Sequence, residues 1–403
     1  MSTELKTTGL KTDEMIINMG PQHPATHGVL RLLLTLDGEF VKHVEPVIGH
    51  LHRAQEWQGQ NRTWFQYQAL IDRVDYLSGM FTSWALSRAA EKIEGIKIPL
   101  RAEYMRVMVS EMNRITSHLL WLGTYLIDLG AMFGFPFYPF REREKLLDLL
   151  EAVAGQRMMF NYIRIGGVQR EAPPGWFAKL KAFTEEFPDR VDEYEAIVTK
   201  NPIFLKRTRG IGNLKKEVAM DYGVTGPSLR ASGVPMDLRR TKPYSVYDRL
   251  KFEVPVMEGD GDTWARYMCR IKEMRQSNEI VKQCLDQIPG GTPEELREKR
   301  KACNSCGKAD CPNCGGDLQI MVKKQNAGLR IKAGEGFEAV ESPRGILGCY
   351  VVSTGGDTAY RFKWRNPSFS NLSVLPVLLL DHPIADIMAI FGSLDVILPD
   401  VDR

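Results

Sequence analysis

Apolar positions follow different spacings in different parts of the chain. Residues 29–48 contain two apolar runs, VLRLLLTL and FVKHVEPVI, which are separated by Asp37-Gly38-Glu39. An Asp-Gly step between strand-like runs predicts a β-hairpin. Further along, apolar residues recur every three or four positions, which predicts helices over 72–93, 101–130, 141–158 and roughly 262–287. From about 335 the pattern returns to short strands and turns. This order predicts an α+β fold: a mainly helical core, an N-terminal β-hairpin sheet and a mixed C-terminal region.

Changes in composition divide the chain into five segments. We expect a flexible N-terminal arm (1–13), a β-rich region with a Pro-rich loop (14–70), a helical body (71–287), a Cys-rich insertion (288–330) and a C-terminal α/β region (331–403). The insertion is set apart by its glycines, prolines and charged residues, which favour loops over packed elements.

Charge and hydropathy exclude several classes of protein. The 53 basic and 50 acidic residues nearly balance, so the chain lacks the excess of basic charge that is typical of nucleic-acid binders. The most apolar stretch, 372–392, contains prolines, aspartates and a histidine, and it cannot supply the about 20 apolar residues that cross a bilayer. No signal-peptide pattern opens the chain. We therefore expect a cytoplasm-facing chain without a transmembrane segment, which meets a membrane through its partners.

Two histidines, His23 and His27, lie in the segment GPQHPATHG. On a helix this spacing would be typical of a zinc pair. Pro21 and Pro24 exclude a helix, because proline removes a backbone donor and clashes with the preceding turn. The segment is therefore predicted to be a loop with restricted backbone freedom.

Several long motifs, in a fixed order, identify a family resemblance. They are MGPQHPATHGVLRLLLTLDGE (19–39), FREREKLLDLLEAVAGQRMMFNYIRIGGV (140–168), NPIFLKRTRGIG (201–212), GPSLRASGV (226–234), DRLKFEVP (248–255) and GSLDVILPDVDR (392–403). Together they resemble the 49-kDa (D) subunit of respiratory complex I, from about residue 14 to the C-terminus except in 288–330. The resemblance implies the fold of the nickel–iron hydrogenase large subunit. Hydrogenases hold their metals with two Cys-x-x-Cys pairs, but the corresponding stretches here, 48–57 and 391–398, contain no cysteine. Hydrogenase chemistry is therefore not expected, and the cavity is available to another ligand.

The resemblance implies that this ligand is a quinone headgroup. It assigns quinone binding to His27 and Tyr76, and it pairs Asp128 with His27. Quinone reduction takes two electrons and two protons, and an imidazole and a phenol are hydrogen-bond donors suited to the two quinone oxygens. A carboxylate behind the imidazole fixes its tautomer and favours its charged form. Loss of the His27 proton would change the charge around Asp128, a trigger for proton pumping elsewhere.

The resemblance also implies partners that carry the remaining cofactors. Arg53 matches an arginine near the terminal iron–sulfur cluster of a partner subunit. NADH, FMN and the electron-delivering clusters are expected on partner subunits, because this chain has no Gly-x-Gly-x-x-Gly after a strand and no cluster ligands near the loop. We expect contacts with the iron–sulfur subunit, the C subunit and membrane-arm subunits, at the cytoplasmic side of the bacterial inner membrane. The chain would then help a NADH (or other donor):quinone oxidoreductase to pump protons.

Two departures from the family pattern leave alternatives open. The family usually continues Arg-Gly-x-Glu-Lys where this chain has Arg53-Ala54-Gln55-Glu56-Trp57, and it usually has glutamate in place of Ile346. A non-catalytic scaffold of the same fold is therefore an alternative, and a hydrogenase-type subunit is a second.

The insertion carries a cysteine block outside the usual family pattern. Cys303, Cys306, Cys311 and Cys314 form C-x2-C-x4-C-x2-C, and four thiolates at this spacing suit tetrahedral zinc. An iron–sulfur or rubredoxin-like iron site is the competing metal, and a metal-free or disulfide-bonded block is the third alternative. The isolated Cys269, Cys284 and Cys349 are expected to be buried apolar residues.

Overall fold

The computed structural model describes residues 14–22, 28–130, 134–302, 316–321 and 328–403, and structural statements below refer to these residues. The α-helices, in chain order, are α1 (Gln55–Asn61), α2 (Trp64–Gln68), α3 (Gly79–Glu94), α4 (Leu100–Asp128), α5 (Phe137–Ala154), α6 (Trp176–Tyr194), α7 (Pro202–Thr208), α8 (Lys216–Asp221), α9 (Pro227–Ala231), α10 (Leu238–Thr241), α11 (Thr263–Gln287), α12 (Pro293–Ala302), α13 (Pro367–Ser373), α14 (Leu375–Leu379), α15 (Ile387–Leu394) and α16 (Leu398–Asp402).

Strands form small antiparallel sheets at the two ends of the chain and one short hairpin between them. The strands are β1 (Glu14–Met19), β2 (Arg31–Asp37), β3 (Phe40–Val47), β4 (Ile163–Arg164), β5 (Gly167–Val168), β6 (Gly334–Ser342), β7 (Gly345–Ser353) and β8 (Ala359–Arg365). They pair in the orders β1-β2-β3, β4-β5 and β6-β7-β8. The helices and these sheets confirm the predicted α+β class.

The predicted N-terminal hairpin is present, but its turn is shifted by one residue. Asp37 pairs with Phe40, so Gly38 and Glu39 form the two-residue loop instead of Asp37 and Gly38. Gly38 has φ +61°, a conformation that glycine adopts without steric cost. Along β2, every second residue is buried, so the sheet covers a core with one face.

The long predicted helices form, with changed ends. The prediction for 72–93 was wrong at its start, because α3 begins only at Gly79; Asp75 binds the backbone N–H groups of the preceding turn and competes with helix formation. The prediction for 141–158 was wrong at both ends. Helix α5 starts at Phe137 and stops where Gly155 adopts φ +85°, a usual C-terminal cap. Helix α11 starts as predicted, because Asp262 accepts the N–H of Ala265 at 2.7 Å.

Two apolar cores hold these elements together. The larger one unites α3, α4, α5, α6 and α11 with the β6-β7-β8 sheet. The smaller one joins β2 and β3 to the C-terminal helices, through residues such as Leu34, Val44, Phe391 and Leu394. The C-terminal end is thereby packed under the N-terminal sheet, although the two are far apart in sequence. The cysteines 269, 284 and 349 are buried and free, as expected.

None of the described helices is both long enough and apolar enough to cross a bilayer.

Candidate functional site

Tyr76 lies in the turn that precedes α3, and not on the helix that the apolar spacing predicted. Asp75 shapes this turn: its Oδ1 accepts the backbone N–H groups of Leu77 and Ser78, both at 3.2 Å, and its Oδ2 accepts the Ser78 hydroxyl. The Tyr76 side chain is half-buried. Within the described part of the chain, no group forms a hydrogen bond with its hydroxyl. The backbone of this turn therefore sets the position of the phenol.

Arg344 connects this turn to the C-terminal segment. It is fully buried at the tip of the β6–β7 hairpin. Its Nη1 donates to the two carboxylate oxygens of Asp75 at 2.9 and 3.2 Å, and its Nη2 donates to Asp395 Oδ1 at 3.3 Å. Asp395 follows α15 with φ +54°, a conformation that residues other than glycine rarely adopt. The bond to Arg344 helps to hold this backbone in place.

Charges of both signs act on the Tyr76 phenol. Burial raises the pKa of Tyr76, Arg344 opposes this shift, and Asp75 and Asp395 add to it. Burial lowers the pKa of Arg344, but the neighbouring carboxylates outweigh burial and raise it overall. At neutral pH the site therefore presents a protonated phenol beside a fixed cation.

Asp128 is the last residue of α4, where its side chain is partly buried. This end of α4 is fastened to α15: Trp121 Nε1 donates to the carbonyl of Gly392 at 2.7 Å, and the Tyr125 hydroxyl donates to the carbonyl of Ala389 at 3.1 Å. Helix α15 leads directly to Asp395. The last turns of α4, which ends at Asp128, are thus bonded to α15, and the Tyr76 turn is connected through Arg344 to Asp395, the residue that follows this helix.

His27 lies outside the described residues, and so does His23. The next described residue after them is Gly28, at φ +137°. A Cβ on Gly28 would lie 3.2 Å from Cδ1 of Leu398, the first residue of α16. The C-terminal segment therefore touches the end of the histidine loop as well as the Tyr76 turn and α4.

Arg53 is exposed and lies in a loop that is hydrogen-bonded to Asp402 in α16. Asp402 accepts the backbone N–H groups of Gly49 and Leu51 at 2.9 and 2.7 Å, and a ring nitrogen of His52 lies 2.7 Å from the Asp402 carbonyl. A cavity of about 380 Å³ opens beside Arg53. It is lined by His52, Ala54, Glu56, Trp57, Gln60, Arg361, Lys363, Asp402 and Arg403. Arg53 thus lies on an accessible, cation-rich surface.

Ala54, which replaces the usual family glycine, has φ +52° and ψ +42°. We expect Ala54→Gly to stabilise the chain by about 0.5–1 kcal/mol, because an alanine in this left-handed conformation is strained and glycine is not. The measurement is the urea midpoint of the purified chain. Ala69→Gly is the matched control, since the exposed Ala69 has a right-handed φ of −73° and the same change should lower stability there. A lower midpoint for Ala54→Gly would contradict the prediction.

Comparison with known proteins identifies the family. Residues 128–403 match the model of the respiratory-chain NADH dehydrogenase 49 Kd subunit. The chain is 46% identical over 394 residues to the D 2 subunit of the NADH-quinone oxidoreductase of Koribacter versatilis, with 96% of each chain covered. It is 47% identical over 394 residues to the H subunit of the NAD(P)H-quinone oxidoreductase of Thermosynechococcus vestitus, with 98% of each covered.

The chain belongs to the 49-kDa subunit family. The resemblance that its motifs predicted is confirmed. A third relative, the H subunit of the NAD(P)H-quinone oxidoreductase of Synechococcus sp. strain CC9605, is 46% identical over 402 residues, and the match covers the whole of both chains.

A buried ionic network in this 49-kDa-family chain was missed by sequence analysis. Its members are fully buried side chains from α4, α9, α10, α11, β6 and the N-cap residue of α10: Glu111, Arg114, His118, Arg230, Asp237, Arg239, Glu273 and Glu341. Arg239 Nη1 lies 3.2 Å from both oxygens of Glu111. Glu273 Oε1 accepts Arg230 at 2.8 Å and Arg239 at 3.1 Å, and Glu273 Oε2 lies 2.9 Å from His118 Nε2.

The network keeps its charges by pairing them. Burial alone would raise the pKa of Glu273, but Arg230, His118 and Arg114 hold it well below its usual range. Burial lowers the pKa of His118 although Glu273 opposes this shift, so we assign a neutral imidazole that donates its Nε2–H to the carboxylate. A sequence signal did exist: Glu111, Arg114 and His118 follow one another at helical spacing on a single face of α4.

Ile346, the second departure from the family pattern, lies on β7 opposite Glu341. It is half-buried and lines a cavity of about 240 Å³ together with Arg88, Lys242 and Arg365. Arg365 Nη1 donates to the carbonyl of Ile346 at 2.6 Å. The cation is thus bound by the backbone of this residue, which needs no carboxylate side chain for that contact.

The predicted zinc ligands Cys303, Cys306, Cys311 and Cys314 lie outside the described residues, between α12 and residue 316. A further cavity, of about 380 Å³, lies between α5 and α6, where Trp176 and Phe183 line it. The predicted site residues that the structure describes, Tyr76, Asp128 and Arg53, do not line it.

Proposed function

We propose that this chain provides the quinone-reducing site of a respiratory complex I, as the quinone-binding subunit of its peripheral arm. The family, and relatives named as subunits of NADH-quinone and NAD(P)H-quinone oxidoreductases, support this function. The observation that best supports this site concerns the Tyr76 hydroxyl, which is unpaired among the described residues. Its neighbours Asp75 and Arg344 are bonded to each other. Such a phenol is placed to donate a hydrogen bond to a ligand.

The chemistry follows from the groups around the quinone. Tyr76 donates to one quinone oxygen and His27 to the other, and the two O–H and N–H groups supply protons as the ring gains two electrons. The buried Arg344 is a fixed cation beside Tyr76, and it stabilises negative charge that develops there without having to reorganise. Asp128, at the end of α4, favours the charged form of His27. When His27 gives up its proton, Asp128 loses its cationic partner, and this local change of charge starts the coupling to proton translocation.

The electrons come from a terminal iron–sulfur cluster on a partner subunit. Arg53 is exposed in the loop that is hydrogen-bonded to Asp402. It lies on the surface that faces this cluster, where its positive charge favours reduction of the cluster. NADH, FMN and the other clusters belong to partner subunits, and the C subunit and membrane-arm subunits complete the surroundings. The fold is that of the nickel–iron hydrogenase large subunit, on the cytoplasmic side of the inner membrane. The cysteine block holds zinc as a separate structural site, and metal analysis of the purified chain distinguishes zinc from iron with sulfide.

Asp128→Asn tests this function through pH. The amide keeps the shape of the carboxylate but removes its charge, so the imidazolium form of His27 is favoured less. We expect the alkaline limb of the pH–rate profile for quinone reduction to move to lower pH, because the protonated donor becomes scarcer there. The measurement is quinone reductase activity of the assembled enzyme over a range of pH.

The control is Asp148→Asn, the same change at a carboxylate on the surface of α5 that pairs with Arg157 at 2.8 Å. Its profile should equal that of the parent. A parental profile for Asp128→Asn as well would mean that Asp128 and His27 are not coupled.

A further inference from the structure

Asp400 is a buried carboxyl that forms no ion pair with any described residue, in the C-terminal segment that Asp395 joins to Arg344. It belongs to α16, where it has no exposed surface. Its Oδ2 accepts the backbone N–H of Ser368 at 2.9 Å. Its Oδ1 makes no hydrogen bond with any described residue. Burial of a carboxylate with so few donors favours the neutral acid.

Among the described residues, three charged groups act on Asp400 without a hydrogen bond to it. Asp75 comes from the turn before α3, Arg344 from the β6–β7 hairpin and Arg365 from the end of β8. Arg344 donates to Asp75 and Asp395, as described above. Arg365 donates to the carbonyls of Ile346 and Gly223 and to the Thr225 hydroxyl. The Nη atoms of Arg344 and the Nη atoms of Arg365 are thus hydrogen-bonded to other acceptors, whereas Arg344 Nε has no hydrogen-bond partner among the described residues.

The balance of these groups favours a proton on Asp400. Burial, followed by the Asp75 carboxylate, raises the pKa of Asp400 to about 7, although Ser368 and Arg344 act in the opposite direction. The same two residues, Asp75 and Arg344, act on the phenol of Tyr76. Asp400 and the Tyr76 phenol thus interact with the same ion pair, so a charge on Asp400 changes the balance of charge that acts on Tyr76.

We propose that Asp400 is a positioning residue for quinone reduction, which holds a proton and, through Asp75 and Arg344, adjusts how readily the Tyr76 phenol gives up its own proton. This inference rests on the proposed function of Tyr76. In the step concerned, the O–H bond of Tyr76 breaks, an O–H bond forms on the reduced quinone, and the phenolate keeps the electron pair; the electrons on the quinone come from the partner's cluster. While Asp400 is neutral, Arg344 stabilises the phenolate. Once Asp400 ionises, it competes for this cation and the phenol becomes a weaker acid.

The test is Asp400→Asn in the assembled enzyme, because an amide mimics the protonated acid and its oxygen still accepts the Ser368 N–H. In the parent, quinone reduction should fall as pH rises through about 7, where Asp400 ionises. The variant should lack this decrease, so the ratio of its quinone reduction rate to that of the parent should increase several-fold as pH rises. Asp128→Asn should instead move the alkaline limb of the pH–rate profile to lower pH, so the effects of the two variants are distinguishable. Asp381→Asn, at an exposed carboxylate paired with Lys42, should keep the parental profile.

A second measurement detects the proton on the Asp400 carboxyl directly. Infrared difference spectra of the enzyme between acidic and alkaline pH should contain a protonated-carboxyl C=O band that Asp400→Asn removes. If Asp400→Asn fails to assemble, Asp400→Glu keeps a titrating carboxyl and should displace the alkaline limb instead of abolishing it. A parental profile in the available variant, or an unchanged carboxyl band in Asp400→Asn, would overturn the proposal.

Failure of the proposal and failure of the proposed function give different results. If Tyr76 does not serve the quinone, Tyr76→Phe leaves the rate unchanged whatever the Asp400 variants do, and the coupling proposed here falls with it. If Tyr76 serves the quinone but Asp400 does not act on it, Tyr76→Phe lowers the rate while Asp400→Asn follows the parental profile. If both proposals hold, Asp400→Asn no longer changes the pH profile in a Tyr76→Phe background.

Discussion

Tyr76→Phe is expected to lower quinone reduction by about 5- to 150-fold, since a hydrogen bond to the reacting oxygen that is lost costs about 1–3 kcal/mol. The ring remains and keeps its packing. Because no described residue bonds the Tyr76 hydroxyl, its removal should leave the stability of the subunit unchanged. Electron transfer from NADH to an artificial acceptor, which draws electrons before the quinone site, should also be preserved.

The measurement compares these two activities in the same preparation of the enzyme. Tyr350→Phe is the matched control: its hydroxyl donates to Glu335 at 2.6 Å on the surface of β7, away from the site. It should change neither activity. Equal loss of both activities in Tyr76→Phe would indicate damage to assembly, and unchanged quinone reduction would remove Tyr76 from the reaction.

Arg239→Met is expected to destabilise the chain by about 3–5 kcal/mol, the usual cost of removing one partner from a buried ion pair. Methionine fills much of the space but supplies no charge or donor. The change takes bonds from three carboxylates at once: Asp237 Oδ2 at 2.7 Å, Glu273 Oε1 at 3.1 Å and Glu111 at 3.2 Å. These acids would remain buried with fewer cations, so the network would have to take up protons or open to water.

The free energy of unfolding in urea, with the purified chain, measures this loss. Arg190→Met is the control, because Arg190 pairs with Glu186 and Glu193 on the partly exposed side of α6, where ion pairs contribute little to stability. A comparable, small loss for both variants would mean that the buried network does not hold the helical body together. The expected loss for Arg239→Met should also grow with pH over the range in which the orphaned acids ionise.

Local signals carried much of the fold. Helix α4 could be predicted to within about two residues because its apolar positions repeat at helical spacing over its whole length. The strand pair β2–β3 followed from its apolar runs and the glycine between them, but the exact turn did not, because either of two adjacent dipeptides satisfies the pattern. The start of α3 was missed, since the side chain of Asp75 competes for backbone N–H groups that the apolar pattern does not consider.

The sequence by itself determined the family and, through the family's motifs, the candidates His27, Tyr76, Asp128 and Arg53. Only the tertiary structure placed Asp75, Arg344 and Asp395 around Tyr76 and brought Asp400 under the influence of Asp75 and Arg344, and only it united eight buried titratable side chains in one network. The physical reason is that the charge on a buried group is set by the neighbours that burial brings to it, and these come from distant parts of the chain. Arg344 and Asp75 are 269 residues apart in sequence and 2.9 Å apart in space. A local sequence pattern cannot reveal a contact between residues that are so far apart in the chain.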